Sequence, residues 1–452
     1  MSEQRPLSTL DIARLSLVRF GANLLVILTT GVLNRLLIVE GRIAHIWVTF
    51  VLSLQNFACP LAIYTGYLSD TVPIAGRRRV PYIILWTLMA CSMVPLMPLI
   101  CFNMLQNAAY FLGAVAMLFA FGLGIKASNL LISAFLADRL EGDARGSVLT
   151  YVWGMAILGQ VVGGALFSVL LPHYDITNSS HRADLLGICI AASVGVVLLT
   201  LLGTLGLEQR QAPTSSAMPR YHLMHALRAI WRNPHARMFL TFLAVADFSF
   251  FGQQYILEAF GGHILEGPVG ETTSYNYFYG GGVLISMTAV GALMSLMPRV
   301  PKRRVLVGGC LTGALSFALL TLSAAWSDNR LVFMAVFVLG LGKGTYNVGL
   351  AFMIMELVDR KMGGLLLGMW GAVGGLAVAL GEFSGGAIHD GALAVTKQQA
   401  AAYAAVFGVE LVGMIVCILF LLRFSMSGYR QRLNEELAVV FDREGGGACT
   451  DK

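Results

Sequence analysis

GLGIKASNLLISAFLADRLEGDARGSVL, residues 122 to 149, and GLGKGTYNVGLAFMIMELVDRKMGGLLL, residues 340 to 367, read as one segment written twice, 218 positions apart. Gly122, Leu123, Gly124, Asn129, Gly146 and Leu149 match Gly340, Leu341, Gly342, Asn347, Gly364 and Leu367, and the acids Asp138 and Glu356 coincide. Each copy sits where an apolar run meets a short charged loop. Duplicated halves in a hydrophobic chain point to two similar helix bundles with a cavity between them, the architecture of secondary transporters.

Composition supplies the solvent. Of 452 residues, 57% are hydrophobic and only 12% charged, and the mean hydropathy is positive. A soluble core cannot hide that much apolar surface, so the chain is expected in a bilayer. Runs long enough to cross ~30 Å at ~1.5 Å per residue fall at about 16 to 38, 46 to 67, 81 to 101, 108 to 133, 147 to 171 and 185 to 207. Six more fall at about 238 to 260, 276 to 298, 304 to 325, 331 to 355, 364 to 388 and 400 to 423. The expected fold is an all-α membrane protein with twelve transmembrane helices in two pseudo-symmetric six-helix bundles. They occupy 1–207 and 238–423, with a cytoplasmic linker at 208–237 and a cytoplasmic tail at 424–452.

Basic residues set the expected orientation, because basic loops resist translocation. One set of loops holds Arg77 to Arg79, Arg139, Arg145, five arginines of the linker, Arg299, Lys302 to Arg304, Arg360 and Lys361. The opposite loops hold only Arg42, Arg182, Arg330 and Lys397. Both termini are therefore expected in the cytoplasm. This bias, with attraction to anionic lipid, accounts for the net charge of +6 and removes the argument for a nucleic-acid partner. The first apolar run reads as a retained helix. Seven scattered cysteines form neither a disulfide framework nor a metal-ligand spacing. No phosphate-binding glycine loop, metal-ligand cluster or nucleophile triad is present, so no catalytic residue and no metal is assigned, and an enzyme is disfavoured.

The loop after the second run, GYLSDTVPIAGRRRVPY from Gly66 to Tyr82, resembles the signature loop of the major facilitator superfamily. Its elements are Gly66, Asp70, Gly76, Arg77, Arg78 and Arg79. In that superfamily such a loop latches one conformation of two rocking halves. The equivalent second-half loop, MPRVPKRRV from Met297 to Val305, keeps the basic cluster and lacks the aspartate. Three further stretches are LNRLLIVE (33–40), LEAFGGHILEGPVGETT (257–273) and MELVDRKMGGLLLGMWGA (355–372). With SDTVPIAGRRRVPY they resemble the PucC/LhaA-type proteins of phototrophs, the bacteriochlorophyll delivery family within the major facilitator superfamily.

That resemblance covers about 15 to 420. It implies the major facilitator fold in an inner or intracytoplasmic photosynthetic membrane. It also implies a role in assembling light-harvesting complexes, delivering or holding bacteriochlorophyll or chlorophyll for antenna polypeptides. The family's Leu-Glu-Pro-aromatic-Gly-Gly pattern is met by Leu257, Glu258, Ala259, Phe260, Gly261 and Gly262, so the proline is missing. The linker and tail carry no family signature.

A pigment needs an apolar slot and one axial ligand for its magnesium. The eight histidines all fall at span ends or in loops, which disfavours a deep histidine ligand and leaves His263 as the best of them. Pigment or substrate candidates are Asn34, Arg35, Asn129, Gln253, Gln254, Glu258, His263 and Asn347. Asn129 and Asn347 also read as amides bonding across the pseudo-symmetric interface. Charges within the bilayer usually face a cavity or a partner. Asp247, Lys343 and Glu410 are expected near mid-depth, with Glu382 closer to the outer side, whereas Lys126 and Arg35 are placed to snorkel. Two readings fit the second-half charges: a carboxylate, Asp247 or Glu410, that changes charge as the halves rock, or a Lys343 ion pair with either acid that fixes packing. The first fits a proton-coupled small-molecule transporter, the alternative to pigment delivery.

Overall fold

A hydrocarbon core offers the backbone no water, so a spanning segment satisfies its amides within its own helix, and the apolar runs do so. The computed structural model describes residues 7–139, 144–174, 178–208, 234–297, 300–357 and 363–423. Side chains are described at these positions except 63, 67, 70, 137, 144–147, 149, 150, 234–236, 355–357 and 363–370. The tail and most of the linker, as well as the side chains of Asp70, Glu356 and Trp370, therefore lie outside the described set.

The helices are α1 (Thr9–Glu40), α2 (His45–Phe57), α3 (Cys59–Thr71), α4 (Val80–Cys101), α5 (Ala108–Arg139), α6 (Ala144–Leu170) and α7 (Ser179–Thr204). The second half supplies α8 (Pro234–Phe251), α9 (Leu257–His263), α10 (Val269–Leu296), α11 (Lys302–Trp326), α12 (Asn329–Leu357), α13 (Gly363–Thr396) and α14 (Gln399–Arg423). Local signals set the ends. Ser8 and Asp11 cap each other at the start of α1, and Pro60 follows the bend at Ala58 between α2 and α3.

Among the described residues, eleven helices are long and apolar enough to cross a membrane. The expected seventh span, 238 to 260, departs from this pattern. Residues 252–256 form a turn that splits it into α8 and α9. The first span is also longer than expected, and its helix widens to π geometry at Leu28–Leu33 and Leu36–Glu40, on either side of Asn34 and Arg35.

The repeat in the sequence is also a repeat in space. A Cβ at Gly122 of α5 would collide with the α2 backbone at Gln55, and one at Gly340 of α12 with the α10 backbone at Tyr279. Two residues on, a Cβ at Gly124 would lie 2.6 Å from the Trp86 carbonyl of α4, and one at Gly342 would lie 2.8 Å from the Gly313 amide of α11. Paired glycines thus let the fourth span of each half, α5 and α12, approach two neighbours backbone to backbone. Each half has its own core: Leu25, Leu52, Phe121 and Phe167 in the first, Phe250, Phe317, Tyr346 and Phe407 in the second. Tyr255 and Ala259, from the turn and α9, belong to the first-half core.

The halves meet along α2 with α13 and along α6 with α10. On the α2–α13 seam a Cβ at Gly386 would lie 2.7 Å from the His45 carbonyl, and one at Gly375 would lie 2.7 Å from Cys59 Sγ. One turn nearer the basic loops, a Cβ at Gly371 would meet nothing within 4 Å. The seam is therefore tight at the end holding His45. Large side chains such as Leu198, Leu315, Val412 and Leu419 remain exposed on outward faces, the surface that lipid covers.

Candidate functional site

The break in the seventh span brings polar groups from both halves together. Asn34 Nδ2 of α1 donates to the Tyr255 carbonyl at 2.8 Å, supplying a partner to a carbonyl that a continuous helix would have used itself. The Tyr255 hydroxyl accepts from Gln55 Nε2 at 2.5 Å and donates to the Leu52 carbonyl at 3.2 Å. Three first-half groups thus anchor a second-half turn that is fully buried at Tyr255.

Beside it lies a narrow cleft lined by Gln253, Gln254, Leu257, Glu258, Tyr275, Asn276 and Tyr279. Glu258 is 3% exposed. Its carboxylate accepts from Asn276 Nδ2 in a short hydrogen bond and from Thr273 Oγ1 at 3.4 Å. A Cβ at Gly31 would sit 2.6 Å from Glu258 Oε1, so this glycine of α1 makes room for the acid. Arg35 does not snorkel: it is 4% exposed, with Nη1 2.7 Å from Glu40 Oε1 and Nη2 donating to the Gly267 carbonyl at 2.9 Å. The guanidinium therefore ties α1 to the loop after α9. An uncompensated cation at this depth is costly, whereas a fixed carboxylate and carbonyl repay part of the desolvation.

The structure thus gathers Gln253, Gln254 and Glu258 around one cleft lined by second-half residues, while Asn34 and Arg35 bond to the turn before α9 and the loop after it. Asn129 and Asn347 do not line it, and Asn129 Oδ1 is buried without a hydrogen-bond partner among the described residues. His263 is half-buried, with Nδ1 2.7 Å from the Tyr403 hydroxyl. Sequence reasoning missed Tyr255, Tyr275, Asn276 and Tyr279. The signal for the last three was the stretch YNYFYGGG, residues 275 to 282, where one amide stands among aromatic rings and glycines.

The buried charges divide. Lys343 Nζ lies 3.0 Å from Asp247 Oδ1 and 4.6 to 4.8 Å from the rings of Phe250, Phe251 and Tyr346. Glu382 accepts from Asn56 Nδ2 at 2.7 Å, a bond from first half to second. Glu410 is 2% exposed and neither carboxylate oxygen has a hydrogen-bond partner among the described residues. It faces the helix break, where a Cβ at Gly252 would be 2.5 Å from Oε1.

In the signature loop, Ala75 and Gly76 have φ of 52° and 73°, and Ile74 and Arg77 exchange backbone hydrogen bonds across them. Two successive positive φ values make a tight turn that glycine accommodates at little cost. Arg79 donates to Ser69 Oγ at 2.7 Å and to Asp138 Oδ2 at 3.1 Å, joining α3, α4 and α5 within the first half. Glu208, placed by the sequence at the start of the linker, instead folds back onto this loop. Its carboxylate accepts from the amides of Arg78, Arg79 and Val80 at 2.7 to 3.1 Å, capping α4.

With this geometry in hand, the family model described as PUCC protein matches residues 32–429. The "Bacteriochlorophyll synthase 44.5 kDa chain" of Rhodobacter capsulatus is 29% identical over 416 residues, covering 91% of this chain and 94% of that protein. "Protein PucC" of Rhodovulum sulfidophilum is 27% identical over 403 residues, covering 86% of each. Among solved structures, a bacterial homologue of the human lysosomal transporter Spinster, inward-facing and occupied, superposes with a TM-score of 0.69 at 12% identity, over 92% of this chain and 97% of the other. The fold is that of the major facilitator transporters.

Proposed function

Because the chain belongs to the PUCC protein family, we propose that it serves in assembling light-harvesting complexes, holding or delivering bacteriochlorophyll or chlorophyll for antenna polypeptides. The observation that carries this reading is similarity along nearly the whole chain to proteins whose names specify bacteriochlorophyll or PucC. The cleft supports it chemically. Gln253 and Gln254 offer amides for the carbonyl groups at a macrocycle's edge, and Tyr275 and Tyr279 offer flat faces. As it stands the cleft leaves room for little more than a water. A tetrapyrrole therefore occupies this site only with the halves parted. A transporter-like scaffold acts here as carrier or chaperone, with no catalytic step.

The membrane is the inner or intracytoplasmic photosynthetic membrane, with both termini in the cytoplasm. This orientation rests on the basic clusters at Arg77 to Arg79 and Lys302 to Arg304. The test is to express a tagged copy in a pigment-making phototroph lacking its own, purify it in mild detergent, and record the red and near-infrared absorption with the co-purified polypeptides. A stoichiometric pigment band that weakens in Glu258→Gln is expected. A colourless protein free of antenna polypeptides would overturn the reading.

One observation favours a second reading, proton-coupled transport of a small molecule. The Glu410 carboxylate lacks a partner at the helix break, where a bound proton removes the cost of a buried charge. Under this reading Glu410→Gln abolishes proton-coupled uptake while antenna levels stay normal; under the first, uptake is absent from the start.

A further inference from the structure

At the tight end of the seam, side chains far apart in the sequence converge. His45 begins α2 in the first half; His389 and Asp390 lie in α13, and Tyr403 in α14, in the second. Asp390 Oδ1 is 3.2 Å from His45 Nδ1 and 3.0 Å from His389 Nδ1. Its Oδ2 accepts from the Ile46 amide at 2.8 Å, which fixes the carboxylate and leaves the other oxygen to the two imidazoles. The imidazole rings lie with centroids 3.7 Å apart.

We propose that His45, His389 and Asp390 form a site for a divalent transition-metal ion of the zinc type, clipping the two halves together at this end. The donors are right: two neutral imidazoles and one carboxylate suit zinc or its neighbours, whereas magnesium and calcium take oxygen ligands. Both carboxylate-to-imidazole spacings suit such a centre. A tetrahedral centre with bonds of about 2.0–2.1 Å holds its ligand atoms about 3.3–3.4 Å apart, close to the 3.0 and 3.2 Å seen here. One ligand atom from each of the three residues lies within 4.8 Å of the others.

The surroundings complete the case. His45 Nε2 is 2.9 Å from the Tyr403 hydroxyl, and the same hydroxyl is 2.7 Å from His263 Nδ1. A metal-binding histidine is usually held through its other ring nitrogen in this way, which fixes the tautomer and aims the ligating nitrogen. His389 lacks such a holder: its side chain is fully buried and its Nε2, the nitrogen turned away from the ion, has no hydrogen-bond partner among the described residues. Asp390 retains 23% exposure, which leaves a path for the ion and a fourth position for water. Binding would couple His45 to residues more than 340 positions away, so the ion stabilises the closed seam over the parted one. The site does not depend on the pigment reading.

The test uses the full chain in detergent, stripped with chelator. Co²⁺ is titrated while its visible d–d absorption is followed, and Zn²⁺ is titrated by calorimetry. One equivalent per chain is expected, with affinity falling at least ~10-fold in His45→Gln and in His389→Gln. X-ray absorption on the zinc-loaded wild type is expected to report imidazole nitrogens and one carboxylate oxygen, and does not rely on any variant folding. Absence of saturable binding to monodisperse wild type, or a ligand shell lacking imidazole, would overturn the proposal and leave a hydrogen-bonded latch.

Discussion

Lys343→Met isolates the strongest buried electrostatic interaction in the second half. The Lys343 and Asp247 side chains are 7% and 13% exposed, with Nζ 3.0 Å from Oδ1. Two unit charges at that distance attract by about 5 kcal/mol at an effective dielectric of ~20. Removing one member of a buried pair typically costs ~3–5 kcal/mol, because the other charge stays buried without compensation. Methionine keeps the contact with the rings of Phe250, Phe251 and Tyr346, since thioether sulfur also packs well on aromatic faces. The loss therefore reads the charge pair together with the cation–π contacts of the ammonium. A bundle of this size loses ~2–4 °C per kcal/mol, so the apparent melting temperature in detergent should fall by roughly 10 °C. Adding Asp247→Asn should restore most of the loss, because the orphaned charge is then gone. A single variant within ~2 °C of wild type, or a double variant as unstable as Lys343→Met, would refute the reasoning.

Glu208→Ala strips the α4 amides of Arg78, Arg79 and Val80 of their shared acceptor. A loss of ~2–3 kcal/mol is expected, with partial recovery in Glu208→Gln, measured by the same melting assay. For orientation, Pro73→Cys and Lys397→Cys in a cysteine-free background should label from opposite sides: an impermeant maleimide added to whole cells should reach position 397 and spare position 73.

The glycine-paired repeat was legible because close backbone approach leaves a mark on residue type: Gly122, Gly124, Gly340 and Gly342 have few substitutes where two helices touch. The family was legible from motifs at helix ends, where caps and turns constrain residue type. The broken seventh span was not. Gly252, Gln253 and Gln254 continue a run that hydropathy alone carries through, and the turn is secured by Asn34 and Gln55, more than 190 positions upstream. Arg35 was misplaced for a related reason: a charge near a helix end reads as interfacial, and only tertiary contact shows the Gly267 carbonyl and Glu40 enclosing it. The histidine cluster left no local spacing to read, since its members come from four helices. Glu208 was assigned to the linker because composition does not reveal which amides lack an acceptor.

The Asp247–Lys343 pair also bears on how the chain is made. An aspartate at the centre of a spanning helix opposes insertion by ~2.5–3.5 kcal/mol, and α8 enters the membrane with Asp247 before Lys343 exists, 96 residues later in the chain. At ~5–20 residues per second the interval is about 5–20 s. For that time the seventh span must wait at the insertion machinery or against the finished first half, whose α1 and α2 already hold the partners of its turn. By then the first half already carries the groups that secure the turn of the seventh span, Asn34, Leu52 and Gln55.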